Sequence, residues 1–330
     1  MNTTITEVRP ASAKEWDDIW KNCDYSTYFH SREWAEIWQK YTHGKMRPAA
    51  KLIRFSDSKT ILLPFSSQRI LKGVAKQYIS SPAGTFGGWL SKDDLSEFHK
   101  ILLYKYIKSH YYNLIWRLNP YNRFENSSQI EISEKDETQV LNLECGFEAI
   151  HKNWTMGHSS TARKARKARK AGVKIRKASK QNEWKSYYAL YEDSIKRWGK
   201  AASSQYGWHL FDTMFNRSSP NINLWLATYD EKIIAGSLCF YAKRHVVYWH
   251  GSALSEYFKL RPVNLLMFEI IKNSCEQGYR RFDFNPSGGH EGVKKFKKSF
   301  GTITLESPII KNESTPVKIF KLLKQQHIRR

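Results

Sequence analysis

The stretch Gly278–Gly301, GYRRFDFNPSGGHEGVKKFKKSFG, constrains the fold more than any other part of the chain. A helical pattern stops at Gly278, as glycine just past a helix end does. Phe282, Asp283 and Phe284 then alternate apolar with charged, which reads as a short strand. A polar loop with Asn285-Pro286 and Gly288-Gly289 follows, and a basic helix runs to Gly301. In that helix Val293, Phe296 and Phe300 share one apolar stripe, with Lys294, Lys297 and Lys298 off it. A strand, a glycine loop carrying His290 and Glu291, and a helix gather N–H groups, a carboxylate and ammonium groups at one sheet end. The plainer reading is a structural crossover with a solvated basic helix.

The same order of elements occurs twice. Ala50–Phe55 and Thr60–Phe65 flank a polar turn at Asp57-Ser58, Pro82–Trp89 is a glycine-rich turn, Asp93–His110 has helical spacing, and the strand Asn113–Leu118 ends in Asn119-Pro120. In the second half Ile222–Tyr229 and Ile233–Tyr241 flank Asp230-Glu231-Lys232, and His245–Ser252 adds a third strand. Pro262 opens a helix, and the last strand again ends in Asn-Pro, at Asn285-Pro286. The expectation is an α/β chain built from two copies of one unit. The boundary falls near residues 150–160, giving lobes at 1–155 and 156–310. A basic amphipathic tail, 311–330, carries Val317, Phe320 and Leu323 at a spacing of three; it docks on a lobe or on anionic lipid. Trp34 and Trp38, one turn apart, belong to a core.

Between the halves lies TARKARKARKAG, Thr161–Gly172, with alanine at every third position. That spacing drifts around a helix of 3.6 residues per turn and predicts no clean apolar face. The helix is then either a solvated tether or a contact for phosphate or membrane through Arg163, Arg166 and Arg169. Across the chain 54 Lys+Arg stand against 31 Asp+Glu, a net charge of +23. Such an excess suits a polyanion: RNA, a nucleotide-sugar or lipid diphosphate, or an anionic membrane. The four cysteines form no C-x-x-C pair, no long apolar run occurs, and the N-terminus has no apolar signal core. The chain is expected in the cytoplasm with reduced thiols, at most peripheral to the inner face of the membrane.

Three stretches in order carry a resemblance. G-x-x-x-F-D-F … G-x-x-x-F-K-x-x-F-G at 278–301 resembles the C-terminal signature of the Fem-type peptidyltransferases and related GNAT-fold acyltransferases. Tyr28-Phe29-His30-Ser31-Arg32-Glu33-Trp34 resembles that family's F-x-S-x-x-W segment, and Arg163–Val173 its R-x-x-R-K-A-x-x-x-G-V segment. The likeness spans about residues 16–306. It implies two tandem GNAT-like lobes, mixed sheets flanked by helices, sharing a central cleft. It also implies transfer of an acyl or aminoacyl group to an amine of a cell-envelope precursor, with acyl-CoA or aminoacyl-tRNA as donor. The acceptor would be a phosphate-bearing glycan, a peptidoglycan precursor or a nucleotide sugar.

The residues permit that chemistry. There is no G-x-S-x-G elbow for a nucleophile and no H-E-x-x-H for a metal, and His245 and His250 lie an odd number apart on one strand. Direct acyl transfer needs only two bound substrates, a proton acceptor and oxyanion donors, which the backbone of a splayed sheet supplies. Asp283 either orients or deprotonates the amine, or pairs with Arg280 or Arg281. The resemblance puts Phe296 and Lys297 on the family's F-K, making Lys297 and Asp283 the catalytic candidates. Tyr248, His250, Asn264 and His290 join Phe296 as substrate-binding candidates at the same mouth. A Q/R-x-x-G-x-G/A diphosphate loop is matched only out of register, at Arg69–Ala75. The alternative class is a non-catalytic RNA- or membrane-binding protein on the same scaffold.

Overall fold

In the computed structural model, which describes residues 3–122, 124, 129–156, 160–199 and 205–320, the chain forms two compact units. The first opens with β1 (Ile5–Pro10), α1 (Ala13–Asn22), α2 (Arg32–Tyr41), β2 (Met46–Pro48), the hairpin β3 (Lys51–Phe55) and β4 (Thr60–Leu63), and the hairpin β5 (Ser66–Ile70) and β6 (Ala75–Ile79). It continues through α3 (Glu97–His110) to β7 (Leu114–Arg117). The second holds β8 (Glu137–Asn142), α4 (Gly146–Met156), α5 (Thr161–Lys170), β9 (Lys174–Lys177), α6 (Gln181–Trp198) and α7 (Trp208–Asn216). Then come β10 (Ile222–Tyr229), β11 (Lys232–Tyr241), β12 (His245–Ala253), α8 (Pro262–Glu276), β13 (Arg281–Asp283), α9 (Glu291–Lys298) and β14 (Ile303–Glu306). The last strand, β15 (Ile309–Asn312), returns to the first unit.

Each unit contains a parallel pair joined by a helix. In the first, β6 runs through α3 to β7, with Tyr78 opposite Leu114. In the second, β12 runs through α8 to β13, with Val246 opposite Phe282. A parallel pair needs such a crossover, and both are followed by Asn-Pro, the element that the sequence repeats. The sheets of the first unit are ordered β1-β3-β4 and β15-β7-β6-β5-β2, and the second has one sheet, β14-β8-β13-β12-β11-β10-β9.

The compact units divide at Thr138 and Glu306, earlier than the boundary read near 155. The reason is β8, which pairs with β13 over Val140–Asn142 and so belongs to the second sheet. Residues 311–312 are strand, not tail. Ser314 fastens the chain to the Asn113 side chain, and Val317 is buried in the helical stretch 315–320. Leu323 and the rest of the expected tail lie outside the described residues. The near-match at Arg69–Ala75 is the turn of the β5–β6 hairpin, in which Leu71 and Lys72 take positive φ.

Helix α5 overturns the expected lack of an apolar face. Ala162, Ala165 and Ala168 are all buried, in one cluster with Leu265 and Phe268 of α8. Residues three apart form an i±3 ridge, and a second helix crossing along that ridge follows its drift. Methyl side chains let the backbones come close, while the six cations stay outside. Thr161 anchors the first turn by donating to the Ser299 carbonyl at 3.0 Å.

In the first unit, His30 of the F-x-S-x-x-W segment is a structural brace. Its Nδ1 accepts from the Thr27 N–H at 2.9 Å, which leaves Nε2 to donate to the Gly87 carbonyl at 2.6 Å. Gly87 is required there, because a Cβ would stand 2.2 Å from Ser80 Cβ. Trp34 and Trp38 pack edge to face at 5.7 Å in the same region, as core residues.

Two predictions follow from this packing. Ala165→Leu should cost about 1–3 kcal/mol by overpacking, read as a drop in the urea midpoint, while Lys167→Leu on the wet side should cost little. Burial lowers the His30 pKa to about 4 from an unfolded value near 6.5. Its contribution is therefore present above pH 6.5 and lost as pH falls toward 4, a term of about 3 kcal/mol. Midpoints measured from pH 7 to 4.5 should fall more steeply in the parent than in His30→Gln.

Candidate active site

The second unit's parallel pair is short. β13 matches β12 only over His245–Val247, whereas β12 continues to Ala253. The far half of β12 thus runs on beyond its ladder with β13. What ends the pairing is the turn at Asn285, which stands at φ 60°. Asparagine tolerates this left-handed conformation better than most residues.

Asp283 and Lys297 hold that turn from two sides. The Asp283 carboxylate is fully buried; it accepts from the Thr138 hydroxyl and from the Asn285 N–H at 2.7 Å. The Lys297 ammonium, on a residue only 4% exposed, donates to the Asn285 carbonyl at 2.6 Å and the Pro286 carbonyl at 3.1 Å. Burying either charge is costly unless hydrogen bonds replace water, and the turn supplies them. Arg281 pairs with Glu144 at 2.5 Å. Arg280 lies 3.8 Å from the same Glu144. The apolar-stripe reading of α9 also changes: Lys297 is on the buried side with Phe300, Phe296 is partly buried, and Lys298 is exposed.

The other expected residues divide between environments. Among the strand pairs of β11 and β12, Leu238 faces His250 but Cys239 faces Tyr248, so Trp249 is an extra residue, a β-bulge. The bulge resets alternation. It removes the parity argument applied to His245 and His250, and it separates Tyr248 from His250. Tyr248 packs on the cluster with Phe284, ring centroids 6.3 Å apart, and lies over Gly251. His250 packs beside Tyr187, Tyr191 and Phe211 of α6 and α7. Its Nδ1 is 2.5 Å from the Tyr187 hydroxyl, and burial lowers its pKa to about 4. The imidazole is therefore neutral near pH 7, with Tyr187 on one nitrogen.

Asn264, in the first turn of α8, is 7% exposed, and its amide makes no hydrogen bond among the described residues. His290 caps the N-terminal side of α9 and meets Trp198 edge-on at 4.9 Å. Arg163, Arg166 and Arg169 are all exposed on α5. No group of three His, Cys, Asp or Glu side chains suited to a metal occurs among the described residues. Tyr187 was missed by sequence reasoning, because its contact with His250 is made across sixty-three positions.

Residues 158–298 match the family model described as an acetyltransferase (GNAT) domain. Among solved structures, FemX matches with a TM-score of 0.68 at 12% identity, covering 92% of this chain and 96% of that one. A conserved protein of unknown function from Bacteroides thetaiotaomicron VPI-5482 matches at TM-score 0.57 and 12% identity, over 92% and 97% of the chains. L-PGS from Bacillus licheniformis matches at 0.55 and 11%, over 96% and 97%. No curated protein matches the sequence. The chain therefore has the fold of two tandem GNAT-like lobes, and the stretch similar to a GNAT acetyltransferase domain lies within its second unit.

One substitution tests the bulged strand. A Cβ at Gly251 would lie 2.1 Å from the Tyr248 hydroxyl and 2.9 Å from its ring. Gly251→Ala should cost about 1–3 kcal/mol, and adding Tyr248→Ala should bring less than the additive loss. Full additivity in a double-mutant cycle would show that the contact carries no strain.

Proposed function

We propose that the protein transfers an acyl or aminoacyl group, from acyl-CoA or aminoacyl-tRNA, onto an amine of a cell-envelope glycan, a peptidoglycan precursor or a nucleotide sugar. The amine attacks directly, without a covalent intermediate on the enzyme. The observation that carries this reading is the divergence of β12 from β13 at the Asn285 turn. Strand backbone that runs on beyond its neighbour can take an extended amide-bearing donor alongside it. Its N–H groups can also face a developing oxyanion.

The residues divide the work. Lys297 and Asp283 position the Asn285-Pro286 loop that forms one lip of the mouth. His250, neutral and backed by Tyr187, receives the proton that the attacking amine loses, and Asn264 hydrogen-bonds the amide of donor or acceptor. The N-terminus of α8, with Arg261 before it, offers N–H groups and charge to a diphosphate. The envelope acceptor is supported by the Fem-type resemblance and by the net charge of +23. No helix among the described residues is long and apolar enough to cross a membrane.

Acetyl-CoA, aminoacyl-tRNA and UDP-amino sugars, screened by thermal shift and then by product formation, test the reaction itself. Lys297→Met should lower turnover about 10²-fold by misplacing that loop while the protein still melts cooperatively. Because Lys297 acts through the loop, Lys297→Arg should recover part of kcat, with KM moving less. Lys294→Met and Lys298→Met should change little. Equal, small losses at all three lysines would leave only a generic charge effect and remove Lys297 from the site.

A further inference from the structure

A second feature lies away from that mouth, on the outer side of α8. A cavity of about 240 Å³ is bounded by Phe147 and His151 of α4, Ala162, Arg166 and Arg169 of α5, and Phe268 and Lys272 of α8. We propose that this groove is a phosphate-binding site, in which Arg166 and Lys272 meet the phosphate oxygens.

Four observations support the assignment. First, Arg166 makes no ion pair or hydrogen bond among the described residues, although it stands at the rim of a cavity. Second, Arg169 already has partners: it pairs with Glu269 and lies over the Phe268 ring at 5.3 Å, so it forms a basic wall. Third, Lys272 is held only loosely, 3.8 Å from Glu276. Of the acidic partners of these cations, Glu269 is engaged by Arg169 and Glu276 stands at that distance from Lys272. Fourth, the floor is aromatic and ordered. Phe147 and His151 stack at 5.9 Å, and Phe268 meets Phe147 edge-on at 5.2 Å. Guanidinium and ammonium groups suit phosphate, and the rings receive the carbon portion next to it. The alanine ridge that seats α5 against α8 is what brings the two cations to one rim. Arg163 is not part of the lining.

Phosphate can come free in solution or on a lipid headgroup, and the test separates the two. Binding of inorganic pyrophosphate to the full chain is measured by calorimetry. Binding to vesicles of phosphatidylcholine with phosphatidylglycerol is measured by cosedimentation. The double variant Arg166→Gln/Lys272→Gln is compared with Lys185→Gln/Lys196→Gln, which removes the same charge from exposed positions of α6. Saturable pyrophosphate binding, weakened about tenfold or more only by the groove variant, supports the site with a free phosphate. Vesicle binding alone, with the same selective loss, supports it with a headgroup. Equal losses in both variants, or no saturable binding to either probe, overturn it. Both variants change exposed side chains, and matching thermal melts establish that each is folded.

Discussion

One residue, Asn285, organises the second unit. Its backbone stands in a conformation that costs about 1–2 kcal/mol for an L-residue, and it is held there by two buried charges. Asp283 takes its N–H and Lys297 takes its carbonyl. The arrangement solves two problems together: the turn is stabilised, and each charge finds the hydrogen bonds that burial removed. Everything next to it follows. The chain leaves β12 after a few paired residues, β12 runs on beyond that ladder, and α9 is seated by its buried lysine. The chemistry assigned to the mouth depends on a loop that cannot wander.

Much of this was legible in the sequence because its signals are local. Gly278, the Phe-Asp-Phe alternation and Asn285-Pro286 mark the end of a helix, a strand and a turn without reference to anything distant. The repeated Asn-Pro disclosed the paired crossovers for the same reason. What was not legible depends on partners. Lys297 reads as a solvent-facing residue until the carbonyls of Asn285 and Pro286 are brought to it. The bulge at Trp249 is a mismatch between two strands and leaves no trace in either alone. β8 escaped notice because Thr138 and Gln139 are polar yet buried, which erases the alternation that identifies a strand.

Helix α5 shows how two patterns in one segment report different things. Its six cations suggested a solvated rod, and they do describe its wet side. The alanines, three apart, describe its dry side, and the drift that argued against a face is accommodated by the crossing of α8. Charge tells where water is; the spacing of small residues tells where another helix can lie. The same segment then sets the positions of Arg166 and Arg169 with respect to Phe268.

The return of β15 to β7 has a consequence for how the chain is made. Ile309–Asn312 pairs with Leu114–Arg117 at the edge of the first unit's five-stranded sheet. The ribosome therefore releases that strand only after the whole second unit has emerged. Until then β7 presents an unpaired edge, the kind of surface that recruits foreign strands. The nascent protein passes through a period in which its earlier-synthesised half waits for its last residues, so a chain terminated shortly before Ile309 would keep a complete second unit and a first one with an open seam.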